Sequence, residues 1–160
     1  MIHVGLSEIK FAAGHEILRC MGLGSCVGIV IYDPLQKSAG MAHVMLPASS
    51  LARSEILMPG KYADTAIPAL VDLMTHRHGL ALAGLKAKMA GGAEMFKSTI
   101  GGPMKSIGAR NVASVRAQLR RFGIPLLAEE TGKNYGRTIA FYPYTGVLRI
   151  RTIFRGECIL

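Results

Sequence analysis

The chain has 160 residues, half of them hydrophobic, which suffices to bury one sizeable core and predicts a single domain over 1–160. Its 19 Lys and Arg against 10 Asp and Glu leave a formal net charge of +9, which favours an acidic partner without identifying it. The absence of Trp and of interleaved basic and aromatic residues argues against nucleic-acid binding. Three cysteines without a CxxC pair or zinc-ligand spacing argue against a disulfide scaffold or structural metal, and predict a reducing, cytoplasmic setting.

The sequence carries no membrane or export signal that we can identify. The amino terminus lacks a charged segment followed by the long apolar run of a signal peptide. No run approaches the roughly 18 apolar residues that a membrane span requires. We therefore expect a soluble chain without membrane insertion.

The first part of the chain predicts short strands. These are residues 2–6, 16–21, 27–32 and 40–46. Only seven residues, including the turn signal Asp33–Pro34, separate the last two, so we expect them to form an antiparallel hairpin. The segment from Pro47 to Gly60 lacks periodicity and predicts a loop, which could act as a mobile flap over the hairpin.

The remainder predicts two amphipathic helices and further strands. The first helix spans Lys61 to His78, where Pro68 should kink or break it and Gly79 should end it. The second spans Ser106 to Phe122. Strands are predicted over 85–90, 126–128, 138–142 and 147–153. Most strands are consecutive, so we expect an α/β fold of the α+β type, with mixed or antiparallel sheets covered by two helices.

The strongest candidate for chemistry is Cys26, which lies in a glycine-spaced turn over residues 21–28. Glycine permits positive φ and close approach, so the turn is suited to exposing a thiol. The alternative interpretation of this segment is an ordinary turn that ends in a small buried cysteine. His43 lies in the second strand of the predicted hairpin while Cys26 precedes the first, which makes a contact between them geometrically possible.

Three weaker patterns also have two interpretations. Gly91 and Gly92 follow a predicted strand as in a phosphate loop, but the complete Walker pattern is missing, and a corner at the rim of a site is the alternative. His76 and His78 suggest a metal site, but two residues apart on a helix they point to different faces, so a solvated helix end is the better interpretation. Arginines of the second helix could contact phosphates or acidic groups, or simply form a solvated face: Arg116, Arg120 and Arg121.

Six blocks, in order and across nearly the whole chain, carry a resemblance to a known family. They are Gly22–Val27, Met41–Pro47, Gly60–Ala66, Ala90–Ala93, Ile107–Asn111 and Leu127–Lys133. Together they make the sequence similar to the chemoreceptor glutamine deamidases of the bacterial chemotaxis CheD family. The resemblance implies a layered α/β sandwich similar to that of the cytotoxic necrotizing factor toxins.

The resemblance also implies an activity, namely hydrolysis of selected glutamine side chains to glutamate in the cytoplasmic helices of chemoreceptors. Cys26 would be the nucleophile and His43 its general base, with no cofactor and no metal. Cys20 stands where the family typically has a catalytic threonine. Backbone N–H groups near Gly24 and Ser25 would hold the oxyanion of a cysteine-bound intermediate. The implied partners are chemoreceptor cytoplasmic domains and a CheC-type phosphatase.

Cys20 leaves alternatives open. A thiol is only a weak donor and a weak acceptor, so His43 is oriented by another group, such as a backbone carbonyl, or activity is reduced. A Cys20–Cys26 redox pair is a further interpretation. The alternative function is a non-catalytic or weakly catalytic module that docks on chemoreceptors or on the phosphatase.

Overall fold

The computed structural model describes residues 1–53, 58–95 and 106–160. Two α-helices lie in the described chain, α1 (Ala63–Asp72) and α2 (Ile107–Arg121). Its strands are β1 (Ile2–His3), β2 (Ile9–Ala13), β3 (Leu18–Leu23), β4 (Val27–Asp33), β5 (Ser38–Val44), β6 (Lys86–Gly91), β7 (Leu126–Thr131), β8 (Arg137–Tyr142), β9 (Val147–Thr152) and β10 (Gly156–Ile159).

The strands form two five-stranded sheets. The central sheet has the order β2-β5-β4-β6-β7, and the outer sheet has the order β1-β3-β8-β9-β10. Neighbouring strands are antiparallel except in the pairs β6–β7 and β1–β3, which are parallel. Mixed sheets combined with two main helices confirm the α+β prediction.

The central sheet lies between the helices and the outer sheet. Along β4, Val27, Ile29 and Ile31 belong to the core cluster beneath α1 and α2, whereas Val30 and Tyr32 belong to the cluster shared with the outer sheet. Every residue of β4 and β5 is buried, because both faces of these strands are covered. A polar side chain on the inner face of this hairpin therefore lies between two sheets, where water cannot readily solvate it.

The predicted hairpin is confirmed, since β4 and β5 pair antiparallel from Val27–Val44 to Asp33–Ser38. Two strands were not predicted, β2 and β10. Both lie at sheet edges. Every residue of β10 is exposed, and β2 has a single buried residue, so each carries only a weak apolar signal. The first predicted strand is shorter than expected and ends at His3.

The two predicted helices are also present. Ser106 caps α2 by accepting a hydrogen bond from the Ala109 N–H. The helix α1 is not broken at Pro68: it continues to Asp72 and then into a π-helical turn over Leu73–Arg77. Proline removes one backbone hydrogen bond, and the apolar packing of this helix on the central sheet outweighs that loss. Gly79 has a φ of +70° and follows the last turn, as predicted.

The structure describes both ends of the predicted loop from Pro47 to Gly60. Ser114 donates to the Pro47 carbonyl at 2.7 Å, and the Ser49 hydroxyl donates to the Asp64 carboxylate at 3.0 Å. Residues 54–57 of the expected flap lie outside the described residues, as does 96–105, which follows the glycine corner. In the described chain, no helix combines the length and apolar character that crossing a bilayer demands.

Candidate functional site

The β4–β5 hairpin carries both members of the predicted cysteine–histidine pair. Cys26 directly precedes β4, and His43 lies opposite Gly28 in the register of the two strands. Cys26 is thus a diagonal neighbour of His43, a relation that places Cα atoms about 7–8 Å apart. Both side chains lie on the face of the hairpin that packs against the outer sheet. Cys26 packs against the cluster shared with the outer sheet and is half-buried, while His43 is buried.

The side-chain partner of the His43 imidazole is Cys20. Its Nδ1 lies 3.2 Å from the Sγ of Cys20, which is fully buried on β3 of the outer sheet. Its Nε2 is buried and has no hydrogen-bond partner among the described residues. Burial lowers the pKa of His43, although the nearby backbone of Val4 offsets part of that decrease. The result is a neutral imidazole with one nitrogen engaged and the other free for a proton.

The two thiols differ in environment. Burial, together with the charge of the neighbouring Cys26 thiolate, raises the pKa of Cys20 to about 12. Burial also raises the pKa of Cys26, but its own backbone N–H opposes that increase by stabilising the thiolate. Cys20 is therefore a protonated thiol across the physiological range, and Cys26 is the thiol whose ionisation the backbone favours.

The glycine corner after β6 supports the turn that carries Cys26. The N–H of Gly92 donates to the Cys26 carbonyl and the N–H of Ala93 to the Gly24 carbonyl, both at 2.8 Å. At Gly91, whose φ is +115°, a Cβ atom would lie 2.2 Å from the Cys26 carbonyl oxygen, so only glycine permits this approach. Both N–H groups are therefore engaged within the protein, and the corner packs against the candidate site.

Backbone donors are present at the turn itself. Among the described residues, neither the N–H of Ser25 nor that of Cys26 donates to the backbone of another residue. The N–H of Gly24 already donates to the Gly22 carbonyl at 3.1 Å, so its contribution to the turn is conformational. A side chain at Gly24 would also approach Met95, with a Cβ atom only 3.2 Å from the Met95 Cγ. The Ser25 N–H is thus a free donor for an oxyanion, and the Cys26 N–H, which lies beside its own sulfur, is the second donor at the turn.

Sequence reasoning missed Asn111, which joins the two halves of the site. It lies on α2 with no solvent exposure, and its Nδ2 donates to the Ser25 carbonyl at 2.9 Å and to the Met45 carbonyl at 3.0 Å. It thereby connects the residue before Cys26 to the strand end just after His43. A signal was available, because Asn111 lies four residues before Val115 and so on the apolar face of the helix, where an amide requires a specific partner.

Comparison with known proteins identifies the family. The family model for CheD chemotactic sensory transduction matches residues 45–152. A Geobacillus kaustophilus protein named probable chemoreceptor glutamine deamidase CheD is 53% identical over 155 residues, which cover 94% of this chain and 92% of that protein. The chain belongs to the CheD family. The chemoreceptor glutamine deamidase CheD of Bacillus subtilis is 45% identical over 98% of this chain and 94% of its own length.

Similarity to CheD proteins extends to both ends of the chain. The probable chemoreceptor glutamine deamidase CheD of Desulfitobacterium hafniense is 46% identical over all of this chain and 98% of its own length. Among solved structures, the Bacillus licheniformis hypothetical protein YfiH aligns with a TM-score of 0.49 at 16% identity. That alignment covers 77% of this chain and 49% of the YfiH chain.

The other candidates in this CheD chain have partners of their own. His76 contacts Asp72 at 3.0 Å, whereas His78 stacks on Phe11 with 3.5 Å between ring centroids. Arg116, predicted to be on a solvated face, forms an ion pair with Glu129. Within residues 1–53, 58–95 and 106–160, no group of three or more metal-ligating side chains comes together.

Proposed function

We propose that this chain hydrolyses glutamine side chains of chemoreceptors to glutamate in the cytoplasm and releases ammonia. One observation carries the catalytic assignment: His43 is engaged through Nδ1 by Cys20, while its buried Nε2 is unpartnered on the same face as the half-buried Cys26. Full-length similarity to proteins named chemoreceptor glutamine deamidase supports the substrate and favours an enzyme over a non-catalytic docking module.

The first step activates the thiol. In the tautomer that this step requires, the Nδ1–H of His43 donates to Cys20 Sγ, 3.2 Å away, and the Nε2 lone pair accepts the proton of Cys26. As that proton moves, Cys26 Sγ attacks the carboxamide carbon of the substrate and forms a C–S bond. The carbonyl oxygen becomes an oxyanion, which the N–H groups of Ser25 and Cys26 stabilise.

The later steps return the site to its resting state. The protonated Nε2 of His43 transfers its proton to the amide nitrogen, the C–N bond breaks, and ammonia leaves a thioester on Cys26. His43 then removes a proton from water, which attacks the thioester carbon. Collapse of the second oxyanion expels the Cys26 thiolate, which regains a proton from His43, and the product side chain is glutamate.

The activity is tested with a purified cytoplasmic fragment of a chemoreceptor. We expect peptide mass spectrometry to show conversion of particular glutamines to glutamate, with an equal amount of ammonia released. The fragment incubated alone controls for spontaneous deamidation. Binding of the fragment without conversion under reducing conditions would overturn the enzyme assignment and leave the docking module.

A CheC-type phosphatase is a second partner that we propose from the family resemblance. The net charge of +9 favours a partner with an acidic surface, and chemoreceptor segments and a phosphatase can both provide one. Competition between the phosphatase and the receptor fragment for this chain, measured by fluorescence anisotropy, tests whether they share a surface. Absence of any complex with the phosphatase would remove this partner.

The pH dependence of turnover should show the state of His43. The general base must be deprotonated, so kcat/KM should fall as the pH drops through the His43 pKa. Because burial lowers the pKa of His43, the midpoint of this acid limb is expected below the ordinary value of 6.5. A kcat/KM profile with a stable receptor fragment measures it, and a midpoint above 6.5 would contradict the proposed role of burial.

Substitutions at Cys20 test whether it orients His43. Threonine and valine have nearly the same shape, so Cys20→Thr and Cys20→Val differ chiefly in the group offered to Nδ1. We expect Cys20→Thr to keep activity, and Cys20→Val to lower kcat by at least about tenfold because the imidazole loses its partner. Thermal unfolding of both variants measures the cost to packing. Full activity in Cys20→Val would show that the Cys20 thiol does not position the base.

Asn111 should act as a positioning residue. We expect Asn111→Ala to lower kcat by about tenfold or more with little change in KM, because the Cys26 turn is no longer held to the end of β5. Ser114→Ala is the matched control, since Ser114 also donates from α2 to a backbone carbonyl, that of Pro47. If both variants lose stability and only Asn111→Ala loses kcat, the positioning role stands. Equal kcat values would contradict it.

A further inference from the structure

The turn between β9 and β10 exposes two adjacent large apolar side chains. Ile153 is 91% exposed and Phe154 is 93% exposed. Single exposed apolar residues are common on proteins, but neighbouring ones at the end of a hairpin form a patch whose burial would be favourable. This hairpin tip, Ile153–Phe154, is therefore suited to contact with another molecule.

A groove connects the hairpin tip to the candidate active site. It is a cavity of about 550 Å³ whose lining includes Ile153 and Phe154 of the hairpin tip together with Gly22 and Met95. Met95 packs close to Gly24 in the turn that carries Cys26. A molecule that occupies the groove would thus extend from the hairpin tip to the nucleophile turn.

The charged side chains that line the groove are all positive. Its described lining includes three arginines and no carboxylate: Arg137, Arg151 and Arg155. Glu130 neutralises Arg137, whereas the other two form no ion pair within the described part of the chain. The guanidinium of Arg155 lies 5.1 Å from the ring centre of Tyr135, at the wall of the groove. A molecule that complements this surface would combine apolar side chains with acidic ones.

We propose that the groove between Met95 and the hairpin tip binds a helical receptor segment that presents acidic side chains beside an apolar stripe. An amphipathic helix places apolar residues on one face and charges at its border, which matches a groove whose lining combines apolar side chains with arginines. Phe154 is the anchor expected to be buried by the partner. The proposal rests on the deamidase function, because the bound segment delivers its glutamine to Cys26.

Binding is measured separately from turnover. The probe is a purified helical cytoplasmic fragment of a chemoreceptor, titrated into the Cys26→Ala variant so that no product forms. We expect the added substitutions Ile153→Ser and Phe154→Ser to raise Kd by at least about tenfold. The control is Leu35→Ser, which alters an equally exposed residue (86%) at the opposite end of β4, roughly 20 Å from Cys26.

Turnover by enzymes that retain Cys26 gives a second readout. The Ile153→Ser, Phe154→Ser double variant should show the same rise in KM with kcat changed by less than about twofold. Alkylation of Cys26 by iodoacetamide should proceed at the wild-type rate, which shows an intact site. Arg151→Gln with Arg155→Gln should weaken binding and reduce its dependence on salt, whereas Arg120→Gln on α2 should do neither.

The outcomes distinguish this inference from the proposed function. Normal turnover with a Kd that is indifferent to the hairpin tip would overturn the docking surface and leave the deamidase function intact. Binding that depends on the tip without any conversion by the wild-type chain would overturn the deamidase function and support the surface. Loss of self-association in the tip variant would assign the surface to a second copy of the chain and overturn the proposal.

Discussion

Substitution of Cys26 by alanine is expected to lower kcat for receptor deamidation by at least about 1,000-fold. Alanine removes the atom that forms the thioester, and a neutral imidazole alone cannot activate water efficiently against an unstrained amide. The side chain is only half-buried, so the folded state should be nearly as stable as that of wild type. Mass spectrometry of the receptor fragment at single-turnover enzyme concentrations measures the residual rate.

Two further substitutions make this result specific. Cys158→Ala removes an exposed thiol on β10 and should retain full activity, which shows that loss is not a general effect of removing a cysteine. Cys26→Ser keeps a nucleophilic oxygen but lacks the ease of thiol ionisation, so it should retain little activity. Wild-type turnover by Cys26→Ala would assign the nucleophile to another residue.

The hairpin that carries Cys26 and His43 was predictable because the residues that determine it lie close together in the sequence. Two apolar runs separated by seven residues and a turn signal determine an antiparallel pair, and the pairing brings the start of one strand near the end of the other. The role of Cys20 was not derivable in this way. Cys20 lies on β3 in the outer sheet, and its contact with His43 depends on how the two sheets stack, which periodicity does not record.

For Asn111 and the glycine corner too, the element was predictable from the sequence but its contacts were not. The buried face of α2 was predicted from apolar spacing, but the partners of an amide on that face are the backbone carbonyls of Ser25 and Met45, which are distant in the sequence. Gly91 and Gly92 could be recognised as a corner, whereas the neighbour that requires them, the Cys26 carbonyl, appears only once β4 and β6 pair. Edge strands β2 and β10 were missed because few of their residues are buried.

The ion pair between Glu130 and Arg137 gives the second large prediction, because it joins the two sheets. Arg137 lies on β8 of the outer sheet with a fully buried side chain, and Glu130 lies on β7 at the edge of the central sheet. The Arg137 Nη2 donates to Glu130 Oε1 at 3.2 Å and to the Gly132 carbonyl at 2.9 Å. The Tyr135 hydroxyl also donates to Glu130, at 2.9 Å.

Glu130→Gln is expected to lower the free energy of unfolding by about 3 kcal/mol, because it leaves a buried guanidinium without its counter-charge. Arg137→Met should cost less, since the remaining Glu130 side chain is 21% exposed and keeps the Tyr135 hydroxyl as a donor. Denaturant unfolding at neutral pH measures both. The matched control is Glu129→Gln on the same strand, whose ion pair with the exposed Arg116 should contribute less than about 1 kcal/mol.

The pH dependence of unfolding tests the charge itself. Burial alone would raise the pKa of Glu130, but hydrogen bonds from Arg137 and Tyr135 and the charges of Arg137 and Lys133 outweigh it, and the net pKa is lowered. Stabilisation by Glu130 is therefore complete above its unfolded pKa, near 4.5, and is lost as the pH falls through the lower folded value. Wild type and Glu130→Gln should consequently converge in stability at acid pH. A difference that stays constant down to that range would show that shape and hydrogen bonding, rather than the carboxylate charge, hold the two sheets together at this point.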